Sequence, residues 1–169
     1  MQNGLILHTL WVIAAKRFHI PYVKLEVRAI NWWGCHMSVR YLDVLVVGAG
    51  VAGLYQLHRL RDLGFKVKSV DAAPDVGGTW FWNAYPGARV DSPANVYQYW
   101  FSEEILNEWE WSERFPAQPE IRRYLNFVAN KLDLRRDIEF DTTVESSSWD
   151  EEKQRWRIQT SKGDCFEVQ

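Results

Sequence analysis

Cysteine is scarce in this 169-residue chain, with Cys35 and Cys165 the whole complement. Two thiols so far apart match neither metal-site spacing nor a disulfide framework, so a reducing, cytoplasmic setting is the expectation. Histidine is sparse too. His8, His19, His36 and His58 show no ligand spacing, and no metal is assigned. No apolar run approaches the roughly 20 residues needed to span a bilayer. The mostly apolar stretch from Gly4 to Ala15 is stopped by Lys16-Arg17. A secretory signal needs positive charge ahead of its apolar core, and Met1-Gln2-Asn3 has none, so targeting and membrane association are set aside. Charge of one sign is also lacking. A net charge of −2 offers no basis for binding nucleic acid or an anionic membrane surface. There is no internal repeat and no low-complexity tract.

What the chain does have is one strongly patterned stretch. Val44-Leu45-Val46-Val47 is an unbroken aliphatic run, as a strand buried on both faces requires. Gly48, Gly50 and Gly53 follow at G-x-G-x-x-G spacing, and leucines at 54, 57, 60 and 63 then mark the apolar stripe of a helix that Gly64 closes. In such a turn the first glycine makes the bend, the second admits a pyrophosphate to the backbone, and the third lets helix and strand pack closely. The free N–H groups of the helix start face the phosphates. Lys66-Val67-Lys68-Ser69-Val70 reads as a second strand, and Asp71 follows it 23 residues after Gly48. That is near the spacing of about 20 for a carboxylate on ribose hydroxyls. Strand, glycines, helix, strand and acid in this order point to a dinucleotide site. A βαβ unit with a purely structural glycine turn is the competing reading.

The rest of the chain divides around this unit. Residues 1–40 carry a charge of +4 and residues 41–169 a charge of −6. The first segment, with weak strand character over 18–33, is expected to be a leader outside the fold. It is either disordered or an artefact of where translation was taken to begin, and Met37-Ser38-Val39-Arg40 would be a more natural start. Residues 41–169 form the domain. Ala72 to Gly78 is a loop with proline and paired glycine as breakers. Thr79 to Asp91 holds four aromatics without helical or strand period, so it packs against a bound aromatic cofactor or against the domain's own core. Six of the chain's ten tryptophans lie between 80 and 149. Glu103–Trp111 reads as a short acidic helix. A longer helix opens at Pro119, with Ile121, Leu125, Val128 and Leu132 on one face and Arg122, Arg123 and Lys131 on a solvated one. Segments 138–140, 142–144, 155–160 and 164–168 alternate as strands, with Lys162-Gly163 as a hairpin turn.

The run Gly77-Gly78-Thr79-Trp80-Phe81-Trp82-Asn83-Ala84-Tyr85-Pro86-Gly87-Ala88-Arg89-Val90-Asp91 resembles the corresponding loop of Baeyer–Villiger monooxygenases, class B flavoproteins related to the flavin-containing monooxygenases. Tyr97-Gln98-Tyr99-Trp100-Phe101-Ser102-Glu103-Glu104, Glu108-Trp109-Glu110-Trp111, Gln118-Pro119-Glu120-Ile121 and Asp141-Thr142-Thr143-Val144 are similar to that family as well. The resemblance covers about residues 41–169.

It implies an α/β, three-layer, Rossmann-like FAD-binding domain with a parallel sheet, a helical insertion and a β-meander, truncated at the C-terminus. It also implies FAD and NADPH as cofactors, and oxygen insertion beside a ketone carbonyl through a flavin peroxide, with molecular oxygen and a small ketone as substrates. Carried over residue by residue, Gly48, Ala49, Gly50 and Gly53 would cradle the FAD pyrophosphate and Asp71 the ribose, where the family usually has the longer Glu. Gly78, Thr79 and Trp80 would line the flavin, with Tyr97 in contact with it. The backbone of Val144 would meet the adenine. Asp91 would orient a catalytic arginine, and Arg89 would belong to the region shared with the nicotinamide, unless the two simply form a local ion pair. Ala84 and Val90 depart from the family's usual residues. The fingerprint F-x-G-x-x-x-H-x-x-x-W and a second glycine-rich unit are absent from the sequence. The expectations are therefore a monooxygenase present as an N-terminal part that does not oxygenate by itself, a catalytically incompetent nucleotide-binding piece, or another FAD-dependent N- or S-oxygenating enzyme or oxidoreductase.

Overall fold

A computed structural model describes residues 11–13 and 39–169. Two four-stranded sheets and a helical layer make up the described region. β1 (Trp11–Ile13), β3 (Val44–Val47), β4 (Val67–Val70) and β5 (Ile138–Glu139) form the first sheet, in the spatial order β1-β3-β4-β5. β3, β4 and β5 are parallel, with Val44 opposite Val67 and Ser69 opposite Ile138. The second sheet runs β2-β8-β7-β6, built from β2 (Val39–Leu42), β6 (Val144–Asp150), β7 (Arg155–Thr160) and β8 (Cys165–Val168). Between β3 and β4 in sequence lies α1 (Val51–Asp62), and between β4 and β5 lie α2 (Thr79–Trp82), α3 (Ala94–Tyr97), α4 (Glu103–Glu108) and α5 (Gln118–Lys131).

The two faces of β3 explain the layering. Alternate residues of a strand point to opposite sides. Val44 and Val46 join Leu54 and Leu57 of α1 and Ile121, Leu125 and Val128 of α5 in one core. Leu45 and Val70 join Ile158, Phe166 and Val168 of the meander in a second. The parallel sheet is therefore the middle layer of three. Arg40 on β2 ties the meander sheet to the middle layer: its guanidinium binds Glu139 of β5 at 2.6 Å and sits 4.7 Å over the Phe166 ring.

The strand–helix–strand unit, the short acidic helix and the helix starting beside Pro119 lie where the sequence patterns put them, as do the strands at 155–160 and 164–168. The first half of the expected meander does not: 138–139 joins the parallel sheet as β5, and the strand expected at 142–144 is instead β6, Val144–Asp150. Four further features differ. β1 pairs antiparallel with β3, Trp11 opposite Val47, although residues 1–40 read as lying outside the fold; the strand character of 18–33 falls outside the described residues. β2 pairs in parallel with β8, a contact across most of the chain length that no local pattern announces. Cys165 is disulfide-bonded, which the cysteine spacing did not suggest. Finally, the charged face of α5 is not simply solvated. Arg122 reaches Asp75 at 3.3 Å and lies over the Phe81 ring, and Lys131 binds Glu104 and Glu108 at 2.7 and 2.9 Å.

Candidate functional site

The glycine turn between β3 and α1 is fixed from every side. Gly48 N–H donates to Val70 O at 2.7 Å, and Gly48 O accepts from the Ser69 hydroxyl at 3.1 Å. Ala49, fully buried, donates its N–H to an Asp71 carboxylate oxygen at 2.5 Å and accepts from Gly77 N–H at 3.1 Å. All four polar groups of these two residues therefore have partners inside the protein. The N–H groups left to meet an anion are those that open α1, where a helix has no internal acceptors.

A second glycine loop closes against the first. A Cβ on Gly78 would lie 2.8 Å from the Cα of Gly50, and one on Gly50 would lie 3.3 Å from the Cα of Gly78. The two backbones touch because neither residue has a side chain. Gly78 then caps α2, which carries Thr79 on its exposed side and Trp80 buried beneath it. The Trp80 indole N–H donates to the Tyr97 hydroxyl at 2.7 Å, with the rings edge-on. The side-chain amide of Gln118, at the start of α5, donates to Trp80 O.

Of the two surroundings the sequence left open for this loop's aromatics, the structure shows the domain's own core, and for Trp80 rather than for every ring. Trp80 belongs to the helical-side core, whereas Trp82 is 50% and Tyr85 64% exposed.

Asp71 stands at the carboxyl end of β4, as its spacing predicts. Its other oxygen accepts from Ala73 N–H at 2.7 Å, its backbone N–H donates to Glu139 O, and Thr142 N–H donates to its carbonyl at 2.9 Å. The last bond brings Thr142, two residues before Val144, alongside the acid. Arg89 and Asp91 are not a pair. Arg89 binds Glu113 and the Phe115 carbonyl, both at 2.5 Å, while Asp91 is exposed and makes no ion pair among the described residues. The structure thus groups 48–53, 71, 78–80 and 97, and sets Arg89 with the 113–117 segment.

Several contributors escaped the sequence reading. Asp75 anchors the second glycine loop, binding Arg135 at 2.8 Å and Arg122 at 3.3 Å. Burial pushes its carboxyl up, but the bonds from Arg135, Val76 N–H and Arg122 outweigh that and hold it below the ordinary carboxylate value. Tyr99 donates its hydroxyl to Val51 O in the first turn of α1, and Tyr124 accepts from Tyr99 N–H at 2.7 Å. Burial raises the Tyr99 phenol far above its usual value and that of Tyr124 to about 12. Both are therefore neutral hydrogen-bonding struts at physiological pH. Only an acid before a glycine pair hinted at Asp75; nothing local marked the tyrosines.

Comparison with known proteins now bears on this arrangement. Residues 46–108 match the NAD(P)-binding Rossmann-like domain family. The chain is 53% identical over 133 residues to an acetone monooxygenase (methyl acetate-forming) of Gordonia sp. (strain TY-5), covering 79% of this chain and 25% of that protein. It is 50% identical over 119 residues to a cyclopentanone 1,2-monooxygenase of Comamonas sp. (strain NCIMB 9872), covering 70% and 22%. Among solved structures, an oxidized steroid monooxygenase bound to NADP superposes with a TM-score of 0.75 at 52% identity, covering 76% of this chain and 25% of that one.

This region matches the N-terminal part of the Baeyer–Villiger monooxygenases. The chain spans about a quarter of the length of the curated relatives it matches. Its resemblance to that family, and the α/β fold with parallel strands that it implies, are thereby established.

Proposed function

We propose that this chain forms the FAD-receiving part of an NADPH-dependent Baeyer–Villiger monooxygenase, with a small ketone and molecular oxygen as substrates. The observation that carries this reading is the backbone contact of Gly50 with Gly78. It joins the G-x-G-x-x-G turn and the Gly77-Gly78-Thr79-Trp80 loop into one cradle over the start of α1. Two glycine backbones in contact, with no side chain between them, suit a pyrophosphate lying along a backbone.

In this reading the N–H groups of Gly50 and the first turn of α1 hold the phosphates. Asp71 and the Val144 backbone border the adenosine half. Gly78, Thr79, Trp80 and Tyr97 border the isoalloxazine, with Asp91 and Arg89 further out toward the nicotinamide cofactor. FAD supplies the redox and oxygen chemistry, and this part of the protein supplies its binding and orientation. The Trp80–Tyr97 bond fixes the aromatic wall, and Asp75 with Arg122 and Arg135 fixes the loop that carries it.

Titration of the purified chain with FAD, followed by flavin fluorescence, tests the cradle. Saturable binding by the native chain and its loss in Gly50→Val are expected. Equal binding by a folded Gly50→Val variant, or none by the native chain, refutes it. In the whole protein, ester formed from ketones with NADPH and oxygen tests the reaction. A second reading, heteroatom oxygenation, is favoured by a 44% identical phenazine N-monooxygenase of Lysobacter antibioticus, and N-oxide in place of ester would select it.

A further inference from the structure

We propose that Asp71 is a positioning residue, which holds the phosphate turn in its receiving shape before any nucleotide arrives; the inference rests on the nucleotide-site reading above. Asp71 is 7% exposed, and each of its carboxylate oxygens already accepts a backbone N–H, Oδ2 from Ala49 at 2.5 Å and Oδ1 from Ala73 at 2.7 Å. The first bond decides the geometry. Ala49 lies between Gly48, which makes the bend, and Gly50, whose Cα meets Gly78. With its N–H drawn toward β4 and its carbonyl bound by Gly77 N–H at 3.1 Å, the Ala49 peptide cannot rotate. The N–H of Gly50 and those after it are thereby left facing outward.

An aspartate suits this task better than a longer acid. Its short side chain keeps the carboxylate beside the turn, whereas one more methylene would carry it outward, toward ribose. Asp71 is also the node of the neighbouring backbone, bound to Glu139 O and Thr142 N–H. The turn is thus referenced directly to β5 and to the segment leading into β6. An amide at this position cannot do the same. Asparagine has one acceptor oxygen for two converging N–H donors, and its NH₂ would face one of them.

Amide hydrogen exchange on the nucleotide-free full chain, read by NMR, tests the claim. The Ala49 amide is expected to exchange as slowly as that of Val46. Asp71→Asn is expected to speed Ala49 by at least about tenfold, the ratio that about 1.4 kcal/mol corresponds to, with Val46 unchanged. ADP and 2′,3′-dideoxy-ADP provide the second arm, and Asp71→Asn is expected to weaken both by the same factor. A penalty confined to ADP would assign Asp71 to the ribose hydroxyls and overturn the proposal. Fast exchange at Ala49 in the native chain would also overturn it, and that measurement needs no variant to fold. Failure of the native chain to bind ADP while Ala49 stays protected would count against the nucleotide site alone.

Discussion

At Gly53 an added Cβ would lie 1.9 Å from the carbonyl oxygen of Gly48 and 2.8 Å from its carbonyl carbon. Both are backbone atoms already fixed by β4, so neither can yield. Gly53→Ala must push α1 off β3, and a loss at the upper end of the ~1–3 kcal/mol of overpacked cores, or beyond it, is expected. Urea denaturation would show it, and an unchanged midpoint would contradict the packing. Asp75 makes a second prediction at this scale. Its carboxyl is held below the ordinary value, so the stability it confers is complete above the unfolded value of about 3.9 and disappears as pH falls through the folded value. Asp75→Asn should lower stability at neutral pH and flatten the acid limb below about pH 4. Thermal melts across pH would check both, and a parallel acid limb in the variant would deny the ion pairs their role. The residue scale is also where the sequence was most and least legible. Gly48, Gly50, Gly53 and Asp71 could be placed because the spacing that marks them lies within one βαβ unit. Arg135 could not, because its partner Asp75 is 60 positions away and nothing between them encodes the meeting.

Among the elements, β3 shows what local pattern can and cannot convey. Its aliphatic run announced a strand buried on both faces, and its parallel neighbour followed from the helix between them. The strand on its other side did not. β1 contributes only three residues to the ladder, too short a run for periodicity to reveal. An unpaired edge beside a buried strand invites association with other chains. Val12 stands opposite Val46 in that ladder, and proline there removes a backbone donor and disfavours the strand. Val12→Pro is expected to leave the α1–β3–β4 unit folded while promoting concentration-dependent self-association, visible by sedimentation velocity. A strictly monomeric variant would mean that β1 does not protect the edge. The helices tell a similar story. Pro119 and the apolar spacing located α5, yet the pairing of Arg122 and Lys131 with other segments depends on tertiary packing that a helical pattern does not contain.

For the whole molecule, the three layers share one sheet, so damage on the meander side should be felt across it. Phe166 is fully buried, packs with Leu45 and Val70, and lies under Arg40. Phe166→Ala should cost about 3–5 kcal/mol, measurable by chemical denaturation. It should also loosen the meander before the helical side, as hydrogen exchange in β7 compared with α1 would show. Equal loosening in both would mean that the layers melt as one unit.

The contact between Gly50 and Gly78 has a consequence for variation. Steric conflicts in a core are commonly relieved by shrinking the opposing side chain, but here neither partner has a side chain to shrink. The positions form a pair that cannot trade volume. In a library randomised at both codons and selected for flavin retention, glycine should therefore be recovered at both sites together, and enlarging one should never be rescued by any choice at the other.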